Sequence, residues 1–153
     1  MITIKKTDPY SADSQHMMKR LSSTLAMITG DSGTRNFDPE DIRSSRAIWA
    51  LAMNDSGEAV GCGCIRPLSA SIAELKRMFS TGTLPGIGAA LLRFLENQAV
   101  ELGYRQLWLE TRRINQRAVA FYMKQGYEVI ANYGPYIGRE EAICLSKVLD
   151  LQL

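Results

Sequence analysis

Glu74-Leu75-Lys76-Arg77 sets three charges inside SIAELKRMF at 71–79, a stretch that otherwise reads as an apolar β-strand. Alternation along such a strand puts Glu74, Lys76 and Met78 on one face and Ala73, Leu75, Arg77 and Phe79 on the other. Burying charge is costly, so one face must open on a cleft or pair its ions. Two readings fit: an edge strand with a solvated face, or a strand whose side chains enter a substrate site. The second unusual stretch is Gly86-Ile87-Gly88, which opens the best-defined helical pattern of the chain. Glycines at a helix start let unpaired N–H groups approach a phosphate, and the helix dipole favours its negative charge. Leu91 stands where a dinucleotide fingerprint needs its third glycine, and no Lys-Ser/Thr follows as in a Walker loop. A tight turn would use the same glycines.

Other chemistry lacks its residues. His16 is the only histidine and reads as a surface residue beside Met17, Met18 and Lys19, which removes Ser-His-Asp and Cys-His arrangements. Cys62 and Cys64 share one strand face and Cys144 is far along the chain. They read as small buried packing residues, and no metal site is expected. Three cysteines, an odd number, suit a compartment where thiols stay reduced. Eighteen basic against sixteen acidic residues leave a formal +2, too little to argue for nucleic acid or an anionic membrane. No apolar run approaches the ~18 residues of a membrane span, and MITIKKTDPYS has no apolar signal-peptide core. A cytoplasmic protein is expected.

The elements that must position these residues follow from periodicity. A strand at 2–6 precedes a helix at 13–29, with Met17, Met18, Leu21, Leu25 and Ile28 at helical spacing and Gly30 as its stop. Residues 31–46 are polar, and Asp38-Pro39-Glu40-Asp41 has the composition of a short helix start. Strands follow at 48–53, 59–68 and 71–79, the first of them apolar on both faces and therefore central. A helix at 86–102, a strand at 107–111, a helix at 115–125 and strands at 127–131 and 142–149 complete the chain. Its 153 residues make a single domain, 1–153. Hairpin-linked strands followed by a strand-helix-strand unit predict a three-layer α/β/α sandwich with a mixed, mostly antiparallel sheet. Strands 71–79 and 107–111, joined by one helical crossover, are predicted to be parallel neighbours that separate at their C-terminal ends.

AELKRMF (73–79), G-x-G leading into ALLRFLENQAVELGY (90–104), LWLET (107–111) and N-x-x-A-x-x-F-Y-x-x-x-G-Y (115–127), taken in order, resemble the GNAT superfamily of acetyl-CoA-dependent N-acetyltransferases. The likeness covers roughly 48–149 and includes AVGCGCIRPL and the late NYGPY at 132–136. It is closest in kind to small stand-alone bacterial members. It implies the acyl-CoA N-acyltransferase fold, with acetyl-CoA as co-substrate and a small-molecule amine as acceptor in one ternary complex. It also implies a backbone grip on the pantetheine arm near Met78, Phe79 and Ser80, and on the pyrophosphate at Gly86, Ile87, Gly88 and Ala89. Asn115 matches the family's asparagine at the next helix start. Tyr122 matches its tyrosine near the thioester sulfur, a residue neutral at pH 7 and able to protonate or orient the leaving thiolate. Tyr122 equally suits a core position beside Ala118. Glu74 is the candidate general base for the substrate ammonium.

One stretch departs from the family pattern. Thr83-Leu84-Pro85-Gly86-Ile87-Gly88 looks two residues short, with Thr83 in place of the usual Gln/Arg and Pro85 offering no N–H. Arg112 and Arg113 either compensate or are solvated. Two alternatives therefore stand: a protein or peptide N-acetyltransferase, and a non-catalytic acyl-CoA-binding module. Exposed strand edges near 142–148 leave room for a homodimer.

Overall fold

The computed structural model describes residues 1–32, 37–42 and 44–149. Its elements are β1 (Thr3–Lys6), α1 (Ala12–Thr29), β2 (Ile48–Met53), β3 (Ala59–Pro67), β4 (Ile72–Ser80), α2 (Ile87–Glu101), β5 (Gln106–Arg112), α3 (Gln116–Lys124), β6 (Glu128–Ile130) and β7 (Ala142–Val148). The order matches the sequence expectation, with boundaries shifted by a residue or two. Short 3-10 helices lie at Pro39–Ile42, as expected, and at Gly134–Tyr136, which periodicity did not reveal. The parts of the expected loop at 33–36 and 43, and the residues 150–153 of the single domain, lie outside the described residues. Among the described residues no helix is long and apolar enough to cross a membrane.

The sheet order is β1-β2-β3-β4-β5-β7-β6. Every neighbouring pair is antiparallel except β4 and β5, which are parallel. α1 covers one face, where Met17 and Met18 pack with Trp49, Leu51, Cys62 and Cys64. α2 and α3 cover the other, where Leu91, Leu95 and Tyr122 join Ala50, Ile65, Leu75 and Leu109. This is the expected three-layer sandwich, and β2 contributes to both cores as its two apolar faces require. α1 starts earlier than its apolar stripe because Ser11 caps it, its hydroxyl accepting from the Ser14 amide at 3.2 Å.

Two sequence expectations fail here. β4 is the fourth of seven strands, so the edge-strand reading is overturned. The segment 142–148 is not an edge either: β7 pairs with β5 along its length and with β6 at Cys144, Leu145 and Ser146, leaving β6 as the outer strand.

β4 also breaks the alternation assigned to it. Arg77 sits at φ +58, and the β3–β4 register slips between Cys62 and Cys64, which marks a β-bulge. Beyond the bulge the faces exchange. Phe79, expected beside Leu75, instead pairs with Cys62 and packs toward α1. Met78 turns to the α2 side. The carbonyls of Lys76 and Arg77 accept from the thiols of Cys64 (3.2 Å) and Cys62 (3.3 Å). Burial pushes the Cys62 thiol up to about 12 and raises Cys64 as well, so these cysteines act as small donors that complete the bulge. Gly61 permits the close approach beside it, since a Cβ there would lie 2.8 Å from the Phe79 carbonyl oxygen and 2.8 Å from Ile87.

Candidate active site

β4 and β5 stay in register only from Ile72/Gln106 to Leu75/Leu109. Both continue, to Ser80 and Arg112, so they part beyond that point, as predicted. The edge of β4 facing β5 then has no strand partner. A cavity of about 180 Å³ occupies the gap. Leu21 and Leu25 of α1 wall it on one side, and Ala118 and Tyr122 of α3 on the other.

Tyr122 is 8% exposed and stands edge-on to Phe121 and Tyr127, with ring centroids 5.1 and 5.8 Å away. It belongs to the core, as one sequence reading expects, and it also lines the cavity. Its hydroxyl takes no hydrogen-bond partner among the described residues. Burial pushes the phenol above its ordinary range, which keeps it protonated.

Glu110 enters the cavity from β5. It follows Leu109, which faces the α2 core, so alternation turns it toward the α1 side. The carboxylate makes no hydrogen bond or ion pair among the described residues. Burial raises its pKa, and the charges of Arg112, Lys76 and Arg139 oppose that rise while Glu74 adds to it. A desolvated carboxylate at a cleft, poised above its usual range, has the properties of a general base. It was overlooked in the sequence, although alternation in QLWLETR places Trp108, Glu110 and Arg112 on one face.

Glu74 lies behind this cavity. It is 1% exposed and accepts from Arg66 Nε at 2.9 Å, the Tyr133 hydroxyl at 2.7 Å and the Tyr136 hydroxyl at 3.4 Å. Lys76 Nζ is 3.9 Å away and donates to the Tyr136 hydroxyl at 3.2 Å. The carboxylate thereby ties residues 132–136 to the middle of the sheet. Removing one partner from a buried ionic network costs about 3–5 kcal/mol. Glu74→Ala is expected to destabilise the fold by roughly that amount in urea unfolding. A loss below about 1 kcal/mol, the scale of a surface pair, would show that the network is not structural.

Asn115 caps α3, its Oδ1 accepting from the Ala118 amide at 3.3 Å, and lines the cavity with Met78. Phe79 and Ser80 lie outside it, on the continuation of β4 that pairs with β3 but has no partner on the β5 side. At the start of α2, Gly86 holds φ +80 as an N-cap without a side-chain cap. The amides of Gly86, Ile87, Gly88 and Ala89 find no acceptor among the described residues, and the first turn carries no acid. Four free donors at the head of a 15-residue helix fit an anionic phosphate group. The two arginines considered as compensation are engaged elsewhere: Arg112 pairs with Asp31 at 2.8 Å, and Arg113 Nε donates to the Glu140 carbonyl at 3.0 Å.

A model of the acetyltransferase (GNAT) family matches residues 15–127. Over 92 residues the chain is 38% identical to the IAA acetyltransferase of Azospirillum brasilense, a match spanning 58% of this chain and 60% of that protein. Over 115 residues it is 32% identical to an uncharacterized N-acetyltransferase of Escherichia coli K12, covering 67% of this chain and 68% of the relative. Both matches thus span about two thirds or less of those relatives' length. The fold superposes on a crystal structure from Klebsiella pneumoniae described as a candidate acyl-CoA N-acyltransferase. That likeness has a TM-score of 0.82 at 25% identity and covers 98% of this chain and 99% of the other.

Proposed function

The chain belongs to the GNAT acetyltransferase family, and from that premise we propose that it moves the acetyl group of acetyl-CoA onto the amine of a small molecule. Both reactants are held together in the gap between β4 and β5. One observation carries this: Tyr122 of α3 and Glu110 of β5, neither with a hydrogen-bond partner for its side chain among the described residues, line the same cavity.

Each group then has a task. The open edge of β4 from Met78 to Ser80 receives the pantetheine arm as a strand receives a neighbour. The amides of Gly86, Ile87, Gly88 and Ala89 hold the pyrophosphate. Glu110 accepts the proton of the substrate ammonium, so that a neutral amine attacks the thioester carbon. As the C–N bond forms and the C–S bond breaks, the attacking nitrogen sheds its second proton. That proton passes to the departing thiolate and gives the free thiol, while the Tyr122 hydroxyl donates a hydrogen bond to that sulfur. A thiol of ordinary pKa, about 8.5, is more acidic than the buried phenol, so Tyr122 serves better as a hydrogen-bond donor to the thiolate than as its final proton source. Glu74, the base expected from sequence, is occupied by its tyrosine and arginine partners, and its role in this scheme is to hold the cavity wall. Placing amine and thioester together makes the step effectively unimolecular. The small cavity supports a small acceptor over a broad peptide groove.

The test is release of free CoA thiol from acetyl-CoA across amino acids, polyamines, aminoglycosides and peptides. The pyrophosphate assignment is tested separately. Charge-assisted hydrogen bonds are worth roughly 1.5–3 kcal/mol each, so one gained or lost shifts binding about tenfold or more. Thr83→Arg is expected to tighten acetyl-CoA by about that factor in calorimetry, because it adds a cation beside the anion. Gly88→Val is expected to abolish binding by crowding the approach, and its Cβ would also press on Phe121, 3.3 Å away. If neither substitution changes affinity, the start of α2 is not the pyrophosphate site.

A further inference from the structure

Four cations line the cavity: Lys76, Arg77, Arg112 and Arg139. Two have acidic partners close by, Arg112 with Asp31 at 2.8 Å and Lys76 with Glu74 at 3.9 Å. The other two do not. Arg77 is 8% exposed and donates to the Met18 carbonyl, the Ser22 hydroxyl and the Ser32 carbonyl. Those acceptors are neutral, no carboxylate among the described residues pairs with it, and its Nε is buried without a partner. Arg139, half-buried just after the Gly134–Tyr136 turn, makes no side-chain hydrogen bond or ion pair among the described residues. A guanidinium left free at a cleft presents a planar fork suited to a carboxylate. A buried guanidinium without a counter-ion behind it adds positive field to the same space.

Resting on the acetyltransferase reading above, we infer that the acceptor is an amine bearing a carboxylate a few bonds away, an amino-acid-like zwitterion whose carboxylate docks on Arg139 while its amine faces Glu110. The two groups share the cavity, and the charge of Arg139 reaches Glu110 electrostatically. Glu110 matches the ammonium end and Arg139 the anionic end. A polyamine or aminoglycoside would instead bring further ammonium groups against Arg77 and Arg139, the two lining cations without an acidic partner among the described residues. Like-charge contact of this kind disfavours a partner even when its reactive amine fits.

The experiment compares free amino acids with their carboxamides and with a polyamine, at equal concentrations of neutral amine, by thiol release. The acids are expected to exceed both by about tenfold or more in kcat/KM, the worth of one charge-assisted hydrogen bond. Arg139→Ala is expected to reduce the acid-over-amide ratio by about tenfold to a hundredfold, with partial recovery in Arg139→Lys. The Arg139 side chain supports no other group by hydrogen bond or ion pair among the described residues, so its removal leaves the fold intact. Amides or polyamines used as well as acids, or an unchanged ratio in Arg139→Ala, overturn the acceptor assignment and leave the transferase standing. No turnover on any amine overturns both.

Discussion

Glu110→Gln is expected to lower kcat by about a hundredfold to ten-thousandfold, the range for loss of a general base. Acetyl-CoA affinity should change little, because Gln keeps the side-chain shape and the cofactor's own contacts are assigned to the β4 edge and the start of α2. Burial raises the Glu110 pKa above its ordinary value, so the wild-type kcat at saturating substrates should fall as pH drops through that raised value. The sign follows from the active form being the carboxylate: protonation removes the base. Gln has no such ionisation, so the limb set by the carboxylate should be lost and the remaining pH dependence should follow the ionisation of the acceptor amine. Full activity in Glu110→Gln, or an acid limb that keeps its wild-type midpoint, would assign the base elsewhere, with Glu74 next in line. Glu74→Gln is the companion variant. It keeps the side-chain shape and should affect folding more than the acid limb, since Glu74 is held by Arg66, Tyr133 and Tyr136.

Tyr122→Phe is expected to lower kcat by about tenfold to a thousandfold, again with little change in acetyl-CoA affinity. The ring stays, so its edge-on contacts with Phe121 and Tyr127 stay as well. Only the hydroxyl is lost, and it has no other partner among the described residues. The phenol is raised by burial, so no fall in activity from its ionisation should appear near neutral pH. A thioester with a better leaving group should depend less on Tyr122 than acetyl-CoA does. Equal dependence on Tyr122 for both, or full turnover in the Phe variant when chemistry is rate-limiting, would leave the residue with a packing role alone.

Periodicity was enough for the layers of this molecule. The stripe on α2, the two-sided β2 and the helical crossover from β4 to β5 are consequences of apolar spacing, which the chain states directly. The site was harder because it depends on a local irregularity. Nothing in AELKRMF distinguishes a straight strand from one bulged at Arg77, and the bulge exchanges the faces of Met78 and Phe79. It is stabilised by thiols on the preceding strand β3 and by contacts from α1, the latter 59 positions away at Met18. Glu74 drew attention because a charge in an apolar strand is unusual. The chain does not reveal that Tyr133 and Tyr136 return some sixty positions later to bind it. Glu110 was passed over for the opposite reason: near a strand end, between Leu109 and Thr111, it looks ordinary until the neighbouring strand ends its pairing at Leu75.

The most direct test of acetyl transfer within this gap is a two-substrate initial-rate study, varying acetyl-CoA against an amino-acid acceptor and following free thiol. Direct transfer from one bound reactant to the other predicts thiol release that requires both, with double-reciprocal lines that intersect. Parallel lines would point to an acetyl group first stored on the protein. Acetyl-CoA binding in calorimetry with no thiol release on any amine would make the chain an acyl-CoA-binding module and contradict catalysis by Glu110 and Tyr122.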